Sequence, residues 1–409
     1  MARETLQGEF VTLTQFRDIH TIAIGIPTVK SKPVKKTVYI LGAGFSQPAG
    51  GPSQAAIMRK VMTLPPSPNV DIRLRNLKSF LTGHLGIPTD KLANVSLEDV
   101  YTPIDRCIAD GVSLRGKTPI ELQELRSNLD SLIAIAIEDC IGRAPRNQHY
   151  VKQLAEHLVA KASHRAVLAA DANTAAEAKQ YDPFAVISLN WDILLDNAIA
   201  RALRDADQDR GTGDYDPFGV VDYCCYVSSL ESDDGKIRSG LWSLGSRGYN
   251  VKLLKIHGSM NWLQCTNCQR LFTAFGDKLI LSDENGKECR HCQKHGIHAR
   301  LRGTLVMPTF LKDLTNFQLK LVWQNAGVEL MEARRLVFIG YSLPDADFEF
   351  RQLLTRTVHR DAEIEAVLWG ESNGYDREVS RYNSFFPQHS INFEPEGVEK
   401  FVNTECGRQ

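Results

Sequence analysis

The sequence lacks three features that would assign it to a broad class. It contains no apolar run of about 18 residues, the length needed for a membrane-spanning helix. Its net charge is only −1, so no overall attraction draws it to nucleic acid or to an anionic membrane. Its first residues, MARETLQGEF, lack the charged and then apolar layout of a secretion signal. We expect a chain that is not exported.

The nine cysteines lack the even number and regular spacing of a disulfide framework. In a chain that is not exported they indicate a reducing compartment, and we expect a cytoplasmic protein. Four of them form two Cys-x2-Cys pairs, Cys265 with Cys268 and Cys289 with Cys292. This spacing is typical of a closed zinc site with four thiolates, which leaves no open position for a substrate. The prediction is structural zinc, with a redox pair as the alternative.

The apolar pattern of the chain predicts an α/β fold. Short, continuously apolar runs typical of buried parallel strands occur at 184–190, 253–258, 304–307, 335–342, 364–370 and 390–395. Helical patterns at 192–203 and 317–333 lie between some of these runs. The sequence therefore predicts a doubly wound, Rossmann-like parallel sheet.

The main domain is predicted to extend over residues 37–400, between an N-terminal arm (1–36) and a C-terminal tail (401–409). We expect the arm to pack on the body or on a neighbouring subunit. The alternative is a weak nucleic-acid-binding tail, because the arm ends in basic residues.

Three segments inside the main domain differ from the strand–helix pattern. Residues 64–175 have helical periodicity, with N-cap signals at Ser96 and Thr118, and are predicted to form a large helical insertion. Residues 259–303 surround the cysteine pairs and are predicted to form a small zinc-binding module. Residues 204–250 are rich in Gly, Asp and Ser and are interpreted as a long loop.

A glycine-rich turn follows the first apolar strand. Gly42, Ala43 and Gly44 allow a tight turn in which backbone N–H groups approach a pyrophosphate. The usual third glycine of a dinucleotide fingerprint is replaced by Gln47. A plain strand–helix turn is therefore the alternative to dinucleotide binding.

Polar residues follow two other apolar runs. Asn190 and Asp192 end one run, and His257 ends another, directly before Gly258. Because ligands of open α/β sheets bind at the carboxyl ends of the strands, we expect these side chains to face one crevice. The alternatives are helix capping for Asn190 and Asp192 and a structural role for His257.

In this order the motifs resemble the sirtuins, NAD-consuming enzymes with a doubly wound fold and a small zinc module. The resemblance covers about residues 37–400. Its matches are Gly42-Ala43-Gly44-Phe45-Ser46, Gly50-Gly51-Pro52, Asn190 with Asp192, His257-Gly258, the four zinc cysteines and Gly340-Tyr341-Ser342-Leu343.

The resemblance implies catalytic roles for three residues and nucleotide binding for seven others. Asn190 would hold water or a ribose hydroxyl, His257 would orient or deprotonate it, and Asp192 would hold the nicotinamide amide. Phe45 would lie over the ribose. The implied cofactor-binding residues are Gly42, Ala43, Gly44, Phe45, Ser46, Gly340 and Ser342.

The sequence also departs from the sirtuin pattern. Ser53-Gln54-Ala55 replaces Asp-Phe-Arg, and Leu189 replaces a glutamine. Residues 306–310, with Pro308, replace the strand that pairs with an acyl-lysine peptide, and proline removes a backbone donor there.

With the helical insertion, these departures resemble the sirtuin-like NAD hydrolases of prokaryotic anti-phage defence. The resemblance implies cleavage of the nicotinamide–ribose bond of NAD by water, which gives nicotinamide and ADP-ribose. It also implies a homo-oligomer and control by assembly or by a partner, such as an ATPase or another defence protein. No membrane partner is expected, and nucleic acid would be contacted only indirectly. The alternatives are an NAD-dependent protein deacylase or ADP-ribosyl transferase, and a non-catalytic sensor of NAD or ADP-ribose.

Overall fold

The computed structural model describes residues 35–143, 145–209, 219–230, 237, 240–245, 248–276, 287–307, 316–368 and 372–407. Its strands are β1 (Thr37–Leu41), β2 (Phe184–Ser188), β3 (Gly219–Asp222), β4 (Val227–Ser229), β5 (Tyr249–Lys255), β6 (Gly258–Cys265), β7 (Leu271–Thr273), β8 (Leu301–Leu305), β9 (Arg335–Ile339), β10 (Glu363–Val367) and β11 (Ile391–Glu394).

The helices in the described part of the chain connect and cover these strands. They are α1 (Ile57–Met62), α2 (Pro68–Ser79), α3 (Leu97–Asp110), α4 (Pro119–Gly142), α5 (His149–Ala170), α6 (Ala175–Ala178), α7 (Leu194–Asp209), α8 (Gly240–Gly245), α9 (Arg290–Gln293), α10 (Phe317–Glu332), α11 (Phe348–Thr357), α12 (Ser372–Phe385) and α13 (Val398–Gly407).

Seven parallel strands form the main sheet in the order β11-β10-β9-β1-β2-β5-β3. Outward from β1 on one side lie β2, β5 and β3, with the edge strand β3 preceding β5 in the chain, and on the other side lie β9, β10 and β11 in chain order. The strand order therefore reverses between β1 and β9, which makes their carboxyl ends a topological switch point. The doubly wound parallel sheet confirms the predicted fold class.

The central strands are buried along nearly their whole length. All five residues of β2 are buried, as are four of the five in β1 and in β9. Since successive side chains of a strand point to opposite faces, continuous burial means that both faces of the sheet are covered. This burial explains why the central strands appear in the sequence as continuous apolar runs.

The predicted helical segment contributes to two different hydrophobic cores. Residues from α1 to α4 pack into a core of their own, which also includes Trp191, Met260 and Met307. Helix α5 instead packs into the core of the main sheet, with Tyr150 and Leu154 among its buried residues. The helix starts follow the sequence signals, because Ser96 caps α3 and Thr118 forms a capping box with Glu121 at the start of α4.

A second sheet follows the main one in the order β4-β7-β6-β8. Strand β6 pairs antiparallel with β7 and β8, so the apolar run at 304–307 ends in this small sheet. Its prediction as a parallel strand is wrong, because an apolar run does not specify the direction of its partner. The interpretation of 204–250 as a long loop is also wrong in part, since β3, β4 and α8 lie there.

Residues 1–34 lie outside the described part of the chain. Of the predicted N-terminal arm, the structure therefore describes only Lys35 and Lys36. Lys35 pairs with Glu363, and the buried Lys36 pairs with Asp182, Glu329 and Glu332. These two charges are used within the fold. Among the described helices, none is long and apolar enough to cross a membrane.

Candidate active site

A cavity of about 520 Å³ opens at the switch point of the main sheet. Loops that follow β1, β2, β5 and β9 form much of its wall, because parallel strands end at the same edge of the sheet. Nine of the ten predicted catalytic and cofactor-binding residues line it: Gly42, Ala43, Gly44, Ser46, Asn190, Asp192, His257, Gly340 and Ser342.

The glycine turn after β1 is in direct backbone contact with the turn after β9. The Gly44 N–H donates to the carbonyl oxygen of Gly340 at 2.8 Å. A Cβ atom on Gly44 would lie 2.7 Å from Cα of Gly340, and Gly340 has a φ of +61°. Only residues without a side chain fit this approach, which sets the shape of the cavity floor.

Phe45 is the predicted cofactor-binding residue that does not line the cavity. Its ring is buried and meets the ring of Tyr150 on α5 edge to face, with centroids 5.4 Å apart. The hydroxyl of Tyr150 donates to the Phe45 carbonyl oxygen. In the described structure Phe45 therefore anchors the glycine turn to α5.

Asn190 ties the loop after β2 to the glycine turn. Its side-chain nitrogen donates to the carbonyl oxygen of Gly42 at 2.9 Å and to Oγ of Ser46 at 3.2 Å. Because both N–H groups donate within the protein, the side-chain oxygen is the atom left to accept a hydrogen bond from a water or a hydroxyl in the cavity.

Asp192 both caps α7 and contacts the glycine turn. One carboxylate oxygen accepts from the Leu194 N–H at 3.1 Å, and the other accepts from the Ser46 hydroxyl at 2.7 Å. Nζ of Lys255, at the end of β5, donates to the Asp192 carbonyl oxygen at 2.6 Å. Capping and a place in the cavity wall therefore coexist in this residue.

His257 is buried in the turn between β5 and β6, with Nδ1 3.2 Å from the carbonyl oxygen of Leu189. A carbonyl only accepts, so Nδ1 carries a hydrogen and the neutral ring presents the lone pair of Nε2. Gly258 must follow, because its φ is +73° and a Cβ there would lie 2.1 Å from the Thr304 carbonyl oxygen.

Three acidic residues of the cavity wall were not predicted as site residues from the sequence, namely Glu98, Asp347 and Glu378. Asp347, directly before α11, is buried with Oδ1 3.6 Å from Nε2 of His257. Glu378 on α12 is half-buried, and burial raises its pKa. The segment LPDADF after β9 offered a signal for Asp347, since acidic residues stand there between a strand and a helix.

The helical region closes the cavity on another side. Ser96, Leu97 and Glu98, at the start of α3, belong to its lining. Glu98 accepts a 2.6 Å hydrogen bond from Gln54. The segment Ser53-Gln54-Ala55 therefore contacts the helical region at the edge of the cavity.

The backbone at the end of β8 and directly after it is bonded within the protein. Arg126 of α4 donates to the Leu305 carbonyl oxygen at 3.2 Å, and the Trp191 indole N–H donates to that of Val306, also at 3.2 Å. The Val306 N–H donates to the His257 carbonyl oxygen at 2.9 Å. The side chains of Leu305 and Val306 are buried. Both backbone groups of Val306 and the carbonyl group of Leu305 are therefore already bonded, and 308–310 lie outside the described residues.

The four predicted zinc ligands come together beside the small sheet. Their sulfur atoms all lie within 4.8 Å of one another, and two neighbouring pairs are 3.6 and 3.7 Å apart. A tetrahedral site with Zn–S bonds of about 2.3 Å has sulfurs about 3.8 Å apart, so the set fits zinc. The side-chain amide of Asn267 donates to Cys292 and lowers the pKa of its thiol to about 7.

No protein-family model matches the chain, and no curated protein does. Solved structures with overall similarity include a complex of a Sir2 homologue mutant with ADP-ribose, at 13% identity and a TM-score of 0.37, covering 91% of this chain and 90% of that one. Another is a Sir2–p53 peptide–NAD+ complex, at 14% identity and a TM-score of 0.32, covering 90% of each chain. These values are too low to transfer an activity.

Proposed function

We propose that this chain is an NAD hydrolase that cleaves the bond between nicotinamide and ribose with water as acceptor. The products are nicotinamide and ADP-ribose. The proposal is supported by a single cavity that combines a glycine turn suited to a pyrophosphate with Asn190, Asp192 and His257.

The backbone at the glycine turn supports binding of the pyrophosphate. The close approach of Gly44 to Gly340 forms a compact backbone at the cavity floor, at the edge of the sheet where ligands of such folds bind. With the pyrophosphate there, the nicotinamide ribose extends towards the carboxyl ends of β2 and β5. Asn190 and His257 stand at those ends.

The reaction needs little help for its leaving group, because nicotinamide departs neutral from a pyridinium. The demand lies in an oxocarbenium-like transition state and in placing water at C1′, as in glycoside hydrolysis. The side-chain oxygen of Asn190 accepts a hydrogen bond from the water, and Nε2 of His257 takes its proton. Asp192 accepts from the carboxamide of nicotinamide while it holds Ser46.

The hydrogen-bonded backbone at Leu305 and Val306 is the observation that favours water, rather than an acyl-lysine peptide, as the acceptor of the reaction. A peptide that binds by strand addition needs unpaired N–H and C=O groups along a sheet edge. Arg126, Trp191 and the His257 carbonyl already bond to the groups described there. A deacylase or transferase would have to break these bonds to admit its acceptor.

The proposal is tested by NAD turnover of the purified chain with and without an acetyl-lysine peptide. We expect nicotinamide release without peptide and no increase when peptide is added. Turnover only with peptide would establish the deacylase instead. Binding of NAD at micromolar protein without any release, in the presence and absence of peptide, would favour the sensor.

We further propose that the enzyme is cytoplasmic and depletes NAD in anti-phage defence, under control of assembly or of a partner such as an ATPase. Exposed Phe317, Val328 and Met331 on α10 support self-association or partner binding, since they share one helix face. Light scattering and NAD turnover across a protein dilution series test this, and we expect turnover per chain to fall as assemblies dissociate. Unchanged turnover per chain in a monomer would contradict control by self-assembly.

A further inference from the structure

Asp347 occupies the N-cap position of α11 but its side chain makes no capping hydrogen bond. Aspartate in this position usually accepts from the backbone of the first helical turn. Here the carboxylate lines the cavity, with Oδ1 3.6 Å from Nε2 of His257. Its other oxygen accepts from the Tyr341 hydroxyl at 3.1 Å.

The loop that carries Asp347 is fixed on both sides. The carbonyl oxygens of Tyr341, Ser342 and Leu343 accept hydrogen bonds from the side chains of Tyr382, Arg381 and Arg351, respectively. Leu343 is buried with a φ of +52°, a conformation that non-glycine residues adopt only where the surroundings impose it. The carboxylate therefore has a defined place relative to His257.

The two nitrogens of His257 face groups of different chemistry. Nδ1 lies against the Leu189 carbonyl oxygen and carries its hydrogen, while Nε2 lies near the Asp347 carboxylate. When Nε2 takes up a proton, the ring becomes a cation next to a buried anion. The Leu189 carbonyl oxygen orients the neutral ring through Nδ1–H, whereas a carboxylate near Nε2 stabilises the ring once that nitrogen has taken up a proton.

We propose that Asp347 is the positioning residue of His257, balancing the charge that the ring gains during the reaction and holding the protonated ring in place. The proposal rests on the proposed hydrolase. A water oxygen bonds to C1′, the C1′–N bond breaks, and nicotinamide leaves with the bonding electron pair. The water's proton passes to Nε2 of His257 and then to solvent. Asp347 exchanges no proton in this step.

A double-mutant cycle tests whether Asp347 acts through His257. NAD turnover is measured for wild type, Asp347→Asn, His257→Ala and the double variant, with Asp345→Asn as the matched control. Asp345 lies in the same loop, its side chain is 84% exposed, and it is not part of the cavity lining. It accepts a hydrogen bond from Arg351, which the side-chain oxygen of an asparagine can also accept. Melting temperature and ADP-ribose affinity show whether each variant keeps its fold and its binding site.

We expect Asp347→Asn to lower kcat about 100-fold, the lower end of the range for an acid–base group, with KM and ADP-ribose affinity nearly unchanged. In the His257→Ala background the same substitution should cost less than about threefold, because the group it serves is gone. Asp345→Asn should match wild type. Wild-type turnover in Asp347→Asn, or an equal loss in both backgrounds, would overturn the proposal.

A second readout separates this proposal from the hydrolase itself. In protein with 15N-labelled histidine, the ring signals of His257 are assigned by their loss in His257→Ala. We expect Asp347→Asn to shift them and Asp345→Asn to leave them in place, whether or not NAD is cleaved. If wild type cleaves no NAD, the proposed hydrolase activity is rejected, and the ring signals alone test the positioning role of Asp347. If the signals do not shift in Asp347→Asn, the positioning role is rejected.

Discussion

Substitution of Gly340 by alanine tests how the cavity floor is built. A Cβ atom at Gly340 would lie 2.3 Å from the Gly44 carbonyl carbon and 2.3 Å from the Phe45 nitrogen. Both contacts are backbone atoms, so no side-chain rotation relieves them. Alanine would also have to keep a φ of +61°, or the turn would have to change.

The two costs can be added to an order of magnitude. A left-handed conformation costs an alanine about 1–2 kcal/mol. Overpacking in a rigid site costs about 1–3 kcal/mol. We expect the free energy of unfolding to fall by about 2–5 kcal/mol, or the glycine turn to move and lower the affinity for ADP-ribose at least about tenfold, which needs only about 1.4 kcal/mol.

Chemical denaturation measures the first effect and calorimetric titration with ADP-ribose the second. Gly142→Ala is the control, because Gly142 ends α4 and its Cβ would meet nothing within 4 Å. Its stability should be equal or slightly higher, since alanine favours helix. Gly340→Ala within about 0.5 kcal/mol of wild type, with unchanged ADP-ribose affinity, would refute the close-approach explanation.

Three further predictions concern parts of the fold outside the cavity floor. Cys289→Ser should lower bound zinc by metal analysis, together with the melting temperature, because structural sites stabilise folding; full zinc occupancy would contradict the ligand set. Arg126→Met should reduce the free energy of unfolding by about 3–5 kcal/mol in denaturation, since it leaves buried carboxylates without a cation; a loss below about 1 kcal/mol would contradict it. Burial opposes ionisation of Glu405, but hydrogen bonds led by that from Arg335 lower its pKa from 4.5 to about 2. Its contribution to stability is present above about pH 4.5 and is lost as the pH falls towards 2, so Glu405→Gln should lose less stability than wild type over that range.

The sequence was most informative where burial is continuous. Strands β1, β2 and β9 are each apolar at four of five residues because they are covered on both faces, so their pattern could be recognised without a partner. Residues that directly follow parallel strands meet at one edge of the sheet. Asn190 and His257 were therefore predicted to face one crevice. The two Cys-x2-Cys pairs predicted a four-sulfur cluster, because this spacing is typical of zinc sites.

Other features depend on packing partners that local patterns do not encode. Strand β3 stands at the edge of the main sheet within a Gly- and Asp-rich segment, so its few residues resembled a loop. Helix α5 and helix α4 have similar apolar periodicity, yet they pack into different cores. The ring of Phe45 turned away from the cavity because Tyr150 offers it a buried contact.

Asp347 was missed for a related reason. An aspartate before a helix predicts an N-cap, and only the surrounding loop shows that its carboxylate faces His257 instead. The backbone bonds at Leu305 and Val306 were likewise not foreseen. The sequence predicted only that residues 306–310 depart from the sirtuin pattern, whereas the structure shows that Arg126 and Trp191 bond to the carbonyl groups of Leu305 and Val306.

The most direct test of the account is the release of nicotinamide and ADP-ribose from NAD by wild type, His257→Ala and His298→Ala, separated by chromatography without any peptide. His298 is the matched control, because its side chain is 77% exposed and lies outside the cavity lining. We predict equal amounts of both products from wild type and from His298→Ala, and a loss of about 100-fold or more in His257→Ala. Full cleavage by His257→Ala would contradict the central claim.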